Sequence, residues 1–240
     1  MNSQFGIAVV MKKFEELEKT IGYKFKKTDL LKEALTHSSY VNENPSWSVP
    51  NNERLEFLGD AVLELIVTEE LYHMYPDEAE GKLTSMRAAL VNYIMLAKIA
   101  KEISLEDFIL LSRGEAKDKG KARDVILANA YESLVGAVYL DDGYVETKKF
   151  IKKSVMPHIN EVMEQKLYRD PKSLLQEIIQ ERLKITPNYK VLGERGPDHK
   201  KLFVSGVYFG DKMVAEGEGT SKQESENSAA EAALKVLETD

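Results

Sequence analysis

The chain has 240 residues, 43% of them hydrophobic and 30% charged, with a formal net charge of −7. This is enough for one or two domains with real cores, and the absence of cysteine excludes disulfides and thiolate zinc sites, which fits a reducing, cytoplasmic compartment. No run of about 18 apolar residues occurs, so no helical membrane span is expected. The apolar stretch from Phe5 to Met11 lacks the basic flank and small-residue cleavage site of a secretory signal. Negative net charge argues only weakly against a nucleic-acid partner, because local patches bind phosphate whatever the total.

In chain order, residues 29–39, 53–75, 79–103, 122–140 and 144–166 each repeat apolar side chains at three- and four-residue steps, the helical period. Turn chemistry separates them at Asn44-Pro45, Ser48-Val49-Pro50, Pro76-Asp77, Arg113-Gly114 and Asp142-Gly143. Residues 1–166 therefore read as an all-α domain. A polar stretch with Pro171 gives a linker at 167–171. Residues 172–240 change pattern: an amphipathic helix from Lys172 to Leu183, then strand-like runs at Tyr189 to Leu192, Leu202 to Phe209 and Met213 to Glu216. Gly210-Asp211 is a hairpin signal. Ser221-Lys222-Gln223-Glu224 fits a capping box opening a last helix, whose apolar stripe is Ala229, Ala230, Ala233, Leu234 and Leu237. The chain is thus expected to be multi-domain, with an all-α unit followed by a small α+β unit of order α-β-β-β-α.

The chemistry concentrates in Asn52-Glu53-Arg54-Leu55-Glu56-Phe57-Leu58-Gly59-Asp60. Glu56 and Asp60 are four residues apart, on one helix face and about 6 Å apart along the axis. Leu55, Phe57, Leu58, Ala61, Val62, Leu65 and Ile66 suggest that this helix is packed, and like charges on a packed helix cost stability unless a cation lies between them. A second oxygen-bearing pair, Asn129 and Glu132, shares a face of the segment 122–140, with Leu127, Ala130, Leu134, Val135, Val138 and Tyr139 as its packed side. Two such helices converging on one point suit a hard ion, Mg²⁺ or Mn²⁺, which takes oxygen ligands and works beside phosphates. Hydrolysis of a phosphodiester follows as the expected reaction. Set against this, acids at one-turn spacing are most often a solvated face, to which Glu64, Glu69 and Glu70 are assigned. Glu53 either pairs with Arg54 or a nearby loop, or supports the site from behind.

The stretch from Asn52 to Leu63 closely resembles the signature of the ribonuclease III family. Thr36-His37-Ser38-Ser39-Tyr40 and the run from Tyr131 to Asp141 resemble two further blocks of that family. The resemblance implies a homodimeric, Mg²⁺-dependent endonuclease that cuts double-stranded RNA to 5′-phosphate and 3′-hydroxyl ends with short 3′ overhangs. It acts, on this reading, on ribosomal, messenger and transfer RNA precursors. Carried over by position, Glu56 is a metal ligand, Asp60 a catalytic acid at the metal, and Glu132 the critical ligand and catalytic residue. Asn129 departs from the pattern, since the family usually has aspartate there. An amide oxygen still coordinates Mg²⁺ but brings no charge, so a need for higher Mg²⁺, or a preference for Mn²⁺, is expected.

Residues 172–238 resemble a double-stranded RNA-binding domain through Leu175-Gln176-Glu177, Gly196-Pro197-Asp198-His199-Lys200 and the run from Gly219 to Glu224. Gln176 and Gln180 lie one turn apart and suit the 2′-hydroxyls of a shallow minor groove. His199 and Lys200 would sit on a reaching loop, and Lys222 and Gln223 at a helix N-terminus that favours phosphate. Gln223 and Glu226 stand where lysines are common, and residues 170–240 hold 10 Lys and Arg against 13 Asp and Glu. The affinity expected is modest and salt-sensitive. Two alternatives stand beside this reading. One is a catalytically weakened double-stranded RNA-binding protein, favoured by Asn129. The other is a di-iron bundle, suggested by Glu70-Leu71-Tyr72-His73 but lacking the second Glu-x-x-His that such a site needs.

Overall fold

The computed structural model describes residues 14–117, 119–168, 170–196 and 201–239. The chain divides into two compact units, the first ending at Tyr168. In the first, α1 covers the helical residues 14–21. It is followed by α2 (Thr28–Ala34), α3 (Ser38–Glu43), α4 (Glu53–Met74), α5 (Glu80–Val91), α6 (Tyr93–Glu102), α7 (Lys121–Ser154) and α8 (Ile159–Glu164). Among the described residues its only extended pairing is an isolated bridge between Thr36 and Leu110. The unit is helical, as its periodicity requires.

Several boundaries depart from the sequence reading, each for a local reason. The segment 29–39 stops helically at Ala34, and a second short helix starts at Ser38, where the His37 ring accepts the Ser39 N–H. The segment 79–103 breaks at Asn92, whose side chain accepts the Met95 N–H and caps a new helix. Asp142-Gly143 interrupts the helix where the sequence reading put a turn. α7 is two helices, covering 122–140 and part of 144–166, that meet at a kink where Gly143 leaves helical geometry at φ 77°. It ends before Pro157, within the short turn Met156–His158.

The core of this unit is where α4 lies along α7. Leu55, Gly59, Val62, Leu63, Ile66, Val67 and Leu71 form the buried face of α4. Leu127, Ala130, Leu134, Val135 and Val138 of α7 face inward with them. The expected packing of Phe57, Ala61 and Leu65 is a correction: Phe57 is 81% exposed and Leu65 58%, and Ala61 is exposed too. They lie outside the arc that α4 turns to the core.

Both sides of the Gly143 bend are fixed by charge. Before it, buried Asp141 accepts the Tyr23 hydroxyl at 2.7 Å and the backbone N–H groups of Lys26 and Lys27 at 2.8 and 2.9 Å. Beyond it, Lys148 reaches Glu69 at 2.7 Å and Glu70 at 3.0 Å, and Lys152 reaches Glu70 at 2.8 Å. Glu70 is therefore committed to an ion-pair network. Replacing Asp141 by Ala strands three donors and should cost about 3 kcal/mol at pH 7. Burial raises the Asp141 proton affinity, but the Tyr23, Lys26 and Lys27 bonds outweigh it and hold the pKa below the ordinary 3.8. Its stabilisation is thus complete above about pH 4 and is lost as pH falls through the folded pKa. Urea denaturation of both proteins should show the gap at pH 7 and a smaller one at pH 2.

The second unit contains α9 (Pro171–Leu183), the antiparallel strands β1 (Asn188–Arg195), β2 (Leu202–Phe209) and β3 (Lys212–Gly219), and α10 (Lys222–Thr239). Asp170 caps α9 by accepting the Ser173 N–H at 2.9 Å, with Pro171 in the first turn. Gly210 makes the β2–β3 turn at φ 64°. The Ser221 hydroxyl accepts the Glu224 N–H at 3.1 Å, and Glu224 reaches back to the Thr220 N–H at 2.7 Å. Leu175, Ile179, Val207, Ala229, Ala230 and Ala233 form the core. Gly217 and Gly219 of β3 lie directly against the backbone of α10, where a Cβ would meet Ala229 N at 2.1 Å and Ser225 N at 2.5 Å.

Candidate active site

The acidic residues are brought together by a contact between two glycines. A Cβ on Gly59 of α4 would sit 1.8 Å from the Glu132 carbonyl oxygen, and one on Gly136 of α7 would sit 2.3 Å from the Leu55 carbonyl oxygen. Only hydrogen atoms fit between the two backbones at this point. Gly59 follows Glu56 by three residues and precedes Asp60, while Gly136 follows Glu132 by one turn. The same contact that welds the helices therefore sets Glu56 and Asp60 beside Asn129 and Glu132.

The electrostatics record that convergence. Burial, then the charges of Asp60 and Glu56, push the Glu132 carboxyl up to about 8. Glu56 is raised by burial first, then by Glu53 and Asp60, against a hydrogen bond from the Asn129 amide that favours its charged form. Asn129 thus touches Glu56, while Glu53, exposed in the first turn of α4, adds negative charge next to it. Arg54 does not neutralise the group: its charge acts on Glu33. Glu56, Asn129 and Glu132 are half-buried and Asp60 is exposed, so the cluster opens to solvent at Asp60.

The donor set is all oxygen, and no basic side chain lowers the proton affinity of Glu56 or Glu132, which suits a hard divalent cation. Among the described residues no three His, Asp or Glu side chains close to ligand spacing.

Linkage gives this cluster a signature. The Glu132 pKa of about 8 lies above its ordinary 4.5, so the folded protein holds this proton more tightly than the unfolded chain. The resulting stabilisation is full below pH 4.5 and is lost as pH rises towards 8. Between pH 5 and pH 8, wild-type protein in chelator should lose on the order of 2 kcal/mol more than Glu132→Gln. Parallel urea-denaturation series on the two proteins measure the difference.

In the second unit Gln176 and Gln180 are exposed on α9, and Lys222 and Gln223 on the first turn of α10. Gln176 and Gln223 line one groove together with Lys172, Tyr189 and Glu226, and Gln180 lies outside that lining. Lys172 bonds Glu226 at 2.6 Å and lies 4.7 Å from the Tyr189 ring centre. His199 and Lys200 lie outside the described residues. Sequence reasoning missed Gly59 and Gly136 as determinants of the site. The available signal was a glycine inside a strongly helical pattern, which needs a packing reason.

These two surfaces agree with comparisons to known proteins. The family described as Ribonuclease-III-like matches residues 27–159, and the Double-stranded RNA binding motif matches residues 171–237. The chain belongs to the ribonuclease III family. Ribonuclease 3 of Borreliella afzelii is 46% identical over 223 residues, 93% of this chain and 91% of that protein. Ribonuclease 3 of Listeria monocytogenes is 42% identical over 227 residues, 95% of this chain and 99% of that protein. The crystal structure of the nuclease domain of ribonuclease III from Campylobacter jejuni aligns with TM-score 0.54 and 44% identity, over 60% of this chain and 94% of that one. A second structure of that domain, described by structural flexibility in a region involved in dimer formation, aligns with TM-score 0.52 and 45% identity over 58% of this chain and 96% of its own. As a ribonuclease III family member the chain is an endoribonuclease, a hydrolase, carrying a double-stranded RNA-binding domain. The matches give no support to a lapsed nuclease. No described helix is long and apolar enough to cross a membrane.

Proposed function

We propose that this endoribonuclease is a cytoplasmic homodimer that uses Mg²⁺, or Mn²⁺, to hydrolyse double-stranded RNA in ribosomal, messenger and transfer RNA precursors, leaving 5′-phosphate and 3′-hydroxyl ends. The observation that carries this reading is the approach of Glu132 to Glu56 and Asp60 across the glycine contact. Residues 1–166 form the catalytic domain, 167–171 the linker and 172–240 the duplex-binding domain in this proposal. Glu56, Asp60, Asn129 and Glu132 hold the cation. When bound, it supplies Lewis acidity at the phosphate and a water poised for attack. Glu132 contributes charge from the half-buried side, so its carboxyl must lose a proton before it can ligate. Asp60, open to solvent, exchanges protons at its Oδ atoms with the attacking water and the leaving oxygen. Glu53 strengthens the negative field behind Glu56. In the second domain Gln176, Gln180, His199, Lys200, Lys222 and Gln223 bind the duplex by shape.

Dimerisation draws support from the exposed apolar residues Phe57, Leu65 and Tyr72 of α4. They continue around Ala61 at steps of four and seven, a stripe that the domain core leaves uncovered. Incubating a long duplex and its separated strands with Mg²⁺ tests the assignment. The duplex alone should be cut, to 5′-phosphate ends. Cutting in chelator, or equal cutting of single strands, contradicts it.

Asn129 sets the metal requirement. An aspartate there adds a charge, and unit charges about 4 Å apart interact by roughly 4 kcal/mol at an effective dielectric of about 20. A third of that is about a tenfold change in affinity. The Asn129→Asp protein should therefore reach half-maximal cleavage at about tenfold lower Mg²⁺. Superimposable metal titrations of the two proteins would remove the idea.

A further inference from the structure

We infer that Ser133 is a positioning residue for the acidic site, joining through one hydroxyl the two backbone carbonyls that set the spacing between its halves. Ser133 is fully buried. Its Oγ lies 2.7 Å from the Asn129 carbonyl oxygen, one turn back on α7, and 3.2 Å from the carbonyl oxygen of Asn52. Asn52 is the residue from which α4 starts, and the same carbonyl accepts the Glu56 N–H at 2.9 Å. Asn52 is itself buried, and its N–H is held by the Thr36 carbonyl at 2.9 Å. The Asn52 carbonyl thus has two donors, one from the residue carrying the Glu56 carboxylate and one from the residue next to Glu132.

A hydroxyl has one proton to donate, and here two carbonyl dipoles compete for it. Donation to Asn129 is the i−4 back-bond that bends a helix outward, and donation to Asn52 draws the first turn of α4 towards α7. One proton shared between them fixes Asn129 and Glu132 relative to Glu53 and Glu56. Replacing the hydroxyl by hydrogen leaves two buried carbonyls without their common donor. The contact at Gly59 and Gly136 still holds the helices together, one to two turns along α4. What loosens is the first turn of α4, and with it the registry of the acids.

The inference rests on the reading that these side chains hold a divalent cation. Mn²⁺ binding by calorimetry, on full-length wild type and Ser133→Ala without RNA, separates the two. The variant should fold and bind duplex within about twofold of wild type, bind Mn²⁺ about fivefold more weakly, and need correspondingly more metal for half-maximal cleavage. Equal Mn²⁺ affinity in the two proteins overturns the role of Ser133. So does a collapse of the melting temperature, which would make the hydroxyl a pillar of the fold instead. No Mn²⁺ binding by the wild type removes the metal reading itself.

Discussion

Replacing Glu132 by Gln should lower cleavage of duplex RNA by at least about a thousandfold while leaving duplex affinity within about twofold. The substitution keeps the shape of the side chain and removes the charge that the proposed cation needs. Three decades of rate correspond to about 4 kcal/mol, the size of one interaction between unit charges about 4 Å apart at an effective dielectric of about 20. Duplex affinity should survive because the RNA-binding residues proposed above lie in the second domain. The same variant should be more stable than wild type in chelator at pH 8, since the cost of burying the charge, and the repulsion from Asp60 and Glu56, which together push Glu132 up to about 8, vanish with that charge. Lost activity together with gained stability marks a site strained for function. Turnover, a filter-binding isotherm and a melting curve on one preparation test all three, and activity within tenfold of wild type would exclude Glu132 from the chemistry.

Gly59→Ala should unfold or severely destabilise the first domain. The added methyl would stand 1.8 Å from the Glu132 carbonyl oxygen and 2.9 Å from the Gly136 nitrogen, and backbone cannot rotate aside as a side chain would. The expected cost is 4 kcal/mol or more, beyond ordinary overpacking, which corresponds to a melting temperature lower by roughly 8–16 °C. Gly81→Ala is the matched control. No atom lies within 4 Å of its would-be Cβ on α5, and alanine is the better helix former, so its melting temperature should hold or rise. Should both variants melt alike, the glycine contact is not what assembles the site.

Much of this was legible in the letters because it depends on local rules. Helical period places α4 and α7, the hairpin signal at Gly210 places β2 against β3, and Ser221 with Glu224 announces the start of α10. Acids inside an apolar pattern mark the site. What escaped is what depends on partners distant in sequence. Phe57, Ala61 and Leu65 read as core because periodicity reports that residues are apolar and never which arc of the helix faces inward. Asn92 broke a continuous apolar run through a side-chain cap, where composition favoured helix. Gly143 read as a break and its backbone is non-helical; what the letters hid is that Asp141 and the Glu69, Glu70, Lys148 and Lys152 network hold both sides of the kink.

The site itself divides in the same way. Spacing put Glu56 with Asp60 and Asn129 with Glu132, and nothing in spacing says that the two pairs face one another. Gly59, Gly136 and Ser133 decide that, through contacts 73 to 81 residues away in sequence. The bond from Asn129 to Glu56 was equally invisible. It gives the amide N–H a task that an ionised aspartate, which only accepts hydrogen bonds, cannot perform.

In this mechanism carboxylates from α4 and α7 share one divalent ion. Crystals grown with Mn²⁺ and measured at its absorption edge test this most directly. An anomalous peak is expected between the helices, about 2.1 Å from oxygens of Glu56, Asp60 and Glu132. A peak bound by residues of one helix alone, or none within reach of Glu132 at saturating Mn²⁺, would contradict it.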